Sequence, residues 1–241
     1  VLCDALSSLS KGRYFMFPIK KWGLDWWTKT ANSIEISQLV SNSLLIAFFV
    51  TILSTIIAFC GALAFARFSW KGKKLFQKII LMPVFFPQPV LGLALLLWFN
   101  AIGIPLSWHT AVFAHLVWIT PVVTLVIAIQ VYGFDPTLED AAKDLGATPF
   151  QIFWRVTLPL LWPGIWSGML FAFLLSWGNF PLSLYTTGVD NTVPKWLYSK
   201  MVAGYTPMVP TLGTMSTLGA AGLMMLGALT VYMMHRRQGR I

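Results

Sequence analysis

Few side chains in this sequence are of types that do chemistry, and most of them lie in one stretch, Phe134 to Gly164. Four of the eight acidic residues sit there: Asp135, Glu139, Asp140 and Asp144. Elsewhere such residues are sparse. There is no Ser/His/Asp set, no zinc-ligand spacing and no pair of carboxylates inside an apolar run. His109 and His115 are six apart, so they do not share a helix face as metal ligands at i and i+4 do. No G-x-x-x-x-G-K-S/T phosphate loop occurs, so any ATP hydrolysis falls to another polypeptide. The four carboxylates therefore read as a polar element that meets a soluble partner, not as a catalytic site.

The elements around that stretch must hold it at a membrane. The chain has 241 residues, of which 57% are hydrophobic and only 10% charged. Its mean hydropathy is +0.72, whereas a soluble domain of this length carries about 25% charged residues. The apolar runs are continuous, which excludes the period-two alternation of a barrel and predicts an all-α polytopic membrane protein. The net charge of +9 sits mainly at the ends of apolar segments, as topology determinants do. With no basic stripe or recognised binding motif, no nucleic-acid partner is expected. Cys3 and Cys60 are too few for a disulfide framework.

Five spans are visible, over about 39–66, 79–99, 111–132, 165–184 and 212–234. Trp22, Trp26 and Trp27 fit an aromatic belt before the first span, with a ligand-binding aromatic cluster as the other reading. In the second span Pro83, Pro87 and Pro89 must bend or break the helix. Irregular backbone at membrane depth survives only inside protein or along a wet cavity. Gln88 is thus a candidate pathway residue, or a polar side chain satisfied by a neighbouring helix. SWGNFPL at the end of the fourth span raises the same choice. Ser176, Trp177 and Asn179 either line a pathway, or Gly178 and Pro181 end the helix and Asn179 caps it. No internal repeat is evident.

The basic loop 67–78, the insert 134–163 and the tail 235–241 fall on one side and carry 10 of the 17 Lys and Arg. The positive-inside rule makes that side cytoplasmic. Segment 1–37 then lies outside, and an N-terminus inside requires one earlier span, six in the full-length protein. The expected organisation is a single transmembrane domain over 1–241. It comprises the end of a first span and an external segment over 1–37, the insert over 134–163 and an external loop over 185–211.

Within the insert, Asp135-Pro136 is a helix start, with an N-cap oxygen followed by proline at the first helical position. Glu139 and Asp140 lie near the positive end of the helix dipole. Leu138, Ala141, Ala142 and Leu145 fall on one face, and Gly146 ends the helix. Thr148-Pro149 begins a second short helix that Leu158-Pro159 closes. The alanines permit close approach by a partner.

This pattern resembles the cytoplasmic signature of ATP-binding cassette (ABC) importer permeases, which is Glu-Ala-Ala, three residues, Gly, nine residues, Ile-x-Leu-Pro. The chain offers Asp140-Ala141-Ala142, Gly146 and Val156-Thr157-Leu158-Pro159 with both spacings intact, Asp replacing Glu and Val replacing Ile. The resemblance covers nearly the whole chain and is greatest to the spermidine/putrescine branch, through AAKDLGA at 141–147, LPL at 158–160, Asn42-Ser43-Leu44 and His115 with Pro121. It implies a type I importer permease fold in a bacterial inner membrane, with a coupling helix that docks on an ATPase. The residues it places in coupling are Glu139, Asp140, Ala141, Ala142, Asp144, Gly146, Ala147, Leu158 and Pro159. The candidate translocation-pathway residues are Gln88, Ser176, Trp177 and Asn179, from the interruptions of the second and fourth spans, and His115, from the resemblance in span three. The resemblance implies as partners two ATPase subunits, a second permease subunit in a heterodimer, an external solute-binding protein and membrane lipid. ATP and magnesium would sit on the ATPases and no cofactor on this chain.

Polyamine-type permeases often carry acids after the proline of span two and late in the span after the insert. Here FPQPV and SWGNFPL hold none. An unpaired charge at mid-membrane costs about 3 kcal/mol or more, so the expected cargo is a small polar metabolite that is polyamine-like, amino-acid-derived, zwitterionic or neutral. The competing reading is a stand-alone channel or an ion-coupled carrier. A carrier calls for ionisable residues inside its spans, and no Asp, Glu, Lys or Arg lies well inside any of the five.

Overall fold

The computed structural model describes residues 2–12, 19 and 21–237, and the described secondary structure is helical apart from one isolated bridge between Ser10 and Trp22. Four helices are long and apolar enough to cross a membrane: Ile34–Arg67, Trp108–Tyr132, Pro149–Trp177 and Met208–Thr230. Lys73–Phe85 and Gln88–Ala101 make a fifth if the pair is counted as one broken span. The break falls among the three prolines, as expected. Phe86 takes extended backbone, with φ −81 and ψ 135.

In chain order the helices are α1 Leu2–Ser8, α2 Asp25–Ala31, α3 Ile34–Ala62, α4 Lys73–Leu81, α5 Gln88–Ala101, α6 Trp108–Tyr132, α7 Thr137–Asp144, α8 Pro149–Ile152, α9 Leu158–Trp177, α10 Pro181–Thr186, α11 Val193–Ala203 and α12 Met208–Arg237. Two wide π turns extend this set, Leu63–Arg67 after α3 and Phe153–Thr157 before α9. The chain divides into two compact units.

The first unit comprises Val1–Phe48, Gln88–His115 and Trp177–Leu226. Its apolar core is Ile36, Leu39, Val193, Trp196 and Leu212. Polar side chains pin the segments together. Ser43 Oγ accepts from the Val193 amide at 2.9 Å, and Trp196 Nε1 donates to Glu35 at 2.6 Å. Asp190 accepts from the Trp108 amide at 2.9 Å and so caps α6 from a distant loop. Trp27, expected in an aromatic belt, donates its Nε1 to Ser8 at 3.3 Å, while Trp22 is exposed.

The second unit comprises Phe49–Pro87, Leu116–Ser176 and Gly227–Ile241, of which 238–241 lie outside the described residues. The last carbonyls of a helix need partners. Trp70 Nε1 donates to Ala64 O at 3.2 Å, Gln77 Nε2 to Phe65 O at 3.0 Å and Lys73 Nζ to Ala66 O at 3.4 Å. The segment 70–77 is therefore folded back over the π turn that follows α3. In the same unit α6 and α9 meet at Gly164 and Gly168, four residues apart. A Cβ at Gly168 would stand 2.8 Å from Ile127 Cγ1, and one at Gly164 would stand 2.5 Å from Gln130 Cβ. This is the small-xxx-small contact by which membrane helices approach closely.

One boundary differs from expectation. Leu158-Pro159 does not close the second insert helix. The helical course continues from Pro149 through the π turn into α9 and stops at Trp177, so the fourth span starts and ends earlier than 165–184. A proline ring collides with the carbonyl four residues back, and the wide turn at Phe153–Thr157 gives the Pro159 ring room. Pro181–Thr186 is a separate helix, α10.

Candidate functional site

The insert is built from local hydrogen bonds. Asp135 Oδ1 accepts from the Thr137 amide at 3.0 Å, and Pro136 already has helical backbone, with φ −66 and ψ −19. At the other end Gly146 takes φ +82, a conformation that disfavours a side chain. The Ala147 amide reaches Ala142 O at 3.0 Å and the Gly146 amide reaches Lys143 O at 2.8 Å. That pair of bonds is the Schellman ending. Two residues on, Thr148 and Gln151 form a reciprocal capping box, Gln151 N to Thr148 Oγ1 at 3.3 Å and Thr148 N to Gln151 Oε1 at 2.8 Å. The α7–α8 corner is thus fixed by its own sequence.

Its outer surface carries an exposed apolar stripe among polar residues. Leu138, Ala141 and Phe150 are exposed, and Leu145 is 90% exposed. Ala142, Leu145, Gly146, Ala147 and Val156, with the charged Arg155, line a groove of about 400 Å³. Asp140 and Lys143 pair on the surface at 2.7 Å, and Asp144 is exposed. Leu158 is half-buried and Pro159 exposed.

Glu139 points the other way. It is 8% exposed, pairs with Arg67 at the end of the first π turn and accepts from Thr157 Oγ1 at the end of the second. Arg67 also lies over the Phe134 ring, 5.3 Å from its centroid. Burial works to raise the Glu139 pKa, but the Arg67 and Thr157 hydrogen bonds and the Arg67 charge outweigh it, so the carboxyl lies below the usual carboxylate range. It is ionised at neutral pH. In the sequence Glu139 and Asp140 stand side by side in the first turn of the helix. Consecutive residues on a helix point about 100° apart, which was the available signal. The glycine pair 164/168 was equally readable as a spacing.

The pathway candidates are anchored as follows. In the first unit His115 is buried, with Nε2 3.1 Å from Ser183 Oγ. Trp177 Nε1 donates to Ser216 Oγ at 2.9 Å. Asn179 is 5% exposed, and its Oδ1 accepts from the Leu182 amide at 3.1 Å, capping α10. Gln88 is half-buried at the start of α5. Ser176 belongs to the second unit and is buried. Because Asn179 caps a helix, Asn179→Ala is expected to lower stability by about 1 kcal/mol, with Asn179→Ser nearly neutral. Thermal unfolding of the purified protein measures this, and equal losses in the two variants would exclude the capping role.

Together, the broken span, the doubly capped insert between two spans and the all-helical fold define the class. The chain belongs to the family described as the binding-protein-dependent transport system inner membrane component, which matches residues 57–240. It is 31% identical to the spermidine/putrescine transport system permease protein PotC of Haemophilus influenzae, across 92% of this chain and 87% of that one. It is also 31% identical to the putrescine transport system permease protein PotI of Escherichia coli, across 90% and 79%. In fold it resembles a permease chain of a bacterial ABC transporter involved in the import of the acidic polysaccharide alginate, with a TM-score of 0.73 at 14% identity over 96% of this chain and 88% of that chain. The chain is therefore a multi-pass permease subunit of an ABC importer. It is not an enzyme, and family membership implies ATPase and substrate-binding-protein partners.

Proposed function

We propose that this permease carries a small polar, polyamine-like metabolite into the cytoplasm, with α7 and α8 as its coupling element. The names of the PotC and PotI relatives support the cargo class. The coupling assignment rests on one observation above all. One exposed stripe of α7 carries Leu138 and Ala141, runs on through Leu145 into a fixed glycine corner and opens on a groove of about 400 Å³. Such a face suits a protein partner better than a lipid surface, where Lys and Arg are favoured.

In this reading the insert and the C-terminus are cytoplasmic, which the distribution of Lys and Arg supports. Two ATPase subunits bind ATP and magnesium, one of them seated on the insert. A second, different permease subunit completes the pathway, and a solute-binding protein delivers cargo from outside. Gln88, His115, Ser176, Trp177 and Asn179 are the candidate pathway residues, Asn179 acting together with the start of α10 that it caps.

Mass spectrometry of the complex purified in native lipid tests this. The expected result is a co-purifying ATPase, a second permease of different sequence and a binding protein loaded with a polyamine or similar amine. A cysteine at Leu145 is expected to cross-link to the ATPase. Recovery of this chain alone, or with only a second copy of itself, would contradict the assembly, and a loaded sugar or metal oxyanion would contradict the cargo class.

A further inference from the structure

We infer that Glu139 is the positioning residue by which the coupling helix grips two spans at once, α3 and α9. The inference rests on the docking assigned to α7 above. Three observations of the second unit converge. Glu139 is the buried residue of α7, on a helix whose other side is exposed. Its two partners are each the last residue of a π turn, Arg67 in Leu63–Arg67 and Thr157 in Phe153–Thr157. Residues of both turns, Leu63, Arg67, Phe153 and Thr157, line with Glu139 and Lys143 a cleft of about 280 Å³.

A π turn is wider and less regular than an α turn, and such turns recur at functional sites. Here both spans leave α geometry at the points where Glu139 holds them. Burying a carboxylate is costly unless it is paired and hydrogen-bonded, and removing one partner leaves the other charge exposed to that cost. A push on α7 therefore moves Arg67 and Thr157 with it. The two wide turns are the deformable segments through which that displacement enters α3 and α9. The cleft leaves space for them to change shape. Asp140, one residue on, points outward to Lys143 and has no such reach.

A cargo-independent experiment tests this in the full complex reconstituted in lipid vesicles. Cys60 lies on α3, shortly before its π turn, and is exposed. With Cys3→Ser, an environment-sensitive fluorophore on Cys60 reports movement of that span end when ATP and vanadate trap the ATPases. The unaltered complex is expected to show a trapping-dependent shift. Glu139→Gln is expected to reduce it by about fivefold or more, and the exchange Arg67→Glu with Glu139→Arg is expected to restore most of it. Thr157→Val, which spares the ion pair, is expected to fall between.

The Leu145→Cys cross-link to the ATPase separates this inference from the docking. A cross-link that persists in Glu139→Gln while the Cys60 shift is lost supports the grip. A shift of unaltered size in Glu139→Gln overturns it, as does no shift in the unaltered complex or a charge exchange that rescues assembly without rescuing the shift. No cross-link from Leu145→Cys in a complex that keeps Glu139 overturns the docking and the grip together.

Discussion

Replacing Ala142 with glutamate is expected to leave the chain inserted in the membrane and to abolish the cargo-stimulated part of ATP hydrolysis by the assembled complex. Ala142 is half-buried and lines the groove beside Leu145 and Gly146. Its methyl group lets another protein approach the helix closely. A glutamate there would fill the groove and place a carboxylate in a surface that docking removes from water. Taking that carboxylate out of water costs about 3 kcal/mol or more, which Arg155 in the same groove repays only with good geometry, and a cost of that size shifts a coupling equilibrium by about two orders of magnitude. Comparing ATP hydrolysis with and without the loaded solute-binding protein reads this out. Stimulation equal to that of the unaltered complex would remove α7 from the docking surface. Ala142→Ser, small and polar, is expected to keep most of the stimulation.

The second large effect is on folding. Gly168→Leu is expected to cause severe loss of folded protein. A Cβ alone at that position meets Ile127 Cγ1 at 2.8 Å and Val123 Cγ1 at 3.2 Å. Val123 and Ile127 are fully buried, so they have little room to move. Overpacking of a closed core costs about 1–3 kcal/mol per site, occasionally more, and here it would force α6 and α9 apart. Gln130 Nε2, which donates to Leu160 O at 3.3 Å, would be drawn away from its partner as well. Yield after mild-detergent extraction and the midpoint of thermal unfolding measure the loss. By contrast, Gly222→Leu is expected to change stability little in the isolated chain, since no neighbour lies within 4 Å of a Cβ there. Equal behaviour of the two variants would show that the α6–α9 contact is not close-packed.

Much of this was readable from local chemistry, because caps and breaks are encoded by neighbours in sequence. Asp135-Pro136, Gly146 and Thr148-Pro149 each did what their residue types require, and the prolines around Gln88 broke the second span. The direction of Glu139 was not readable, because its partners Arg67 and Thr157 lie 72 and 18 residues away. The same holds for Asp190, which closes the end of α6 from a loop 82 residues on. Asn179 shows a third kind of ambiguity. An amide beside a helix end can cap the next helix or face a pathway, and only the position of the Leu182 amide establishes the cap. The fourth span was misplaced because Pro159 reads as a stop, whereas a wide turn before it lets the helix pass.

The π turns also set a phase. A π turn is an α-helix with one residue added, so every side chain beyond it is rotated by about 100° from where an uninterrupted helix would carry it. At Leu63–Arg67 that rotation is part of what brings Arg67 to Glu139, and at Phe153–Thr157 it sets the azimuth at which α9 begins. Residue count in these two short segments therefore works as an angular setting. A side chain exchanged there changes one contact, whereas a residue gained or lost turns Arg67 away, or turns the whole of α9 against its neighbours.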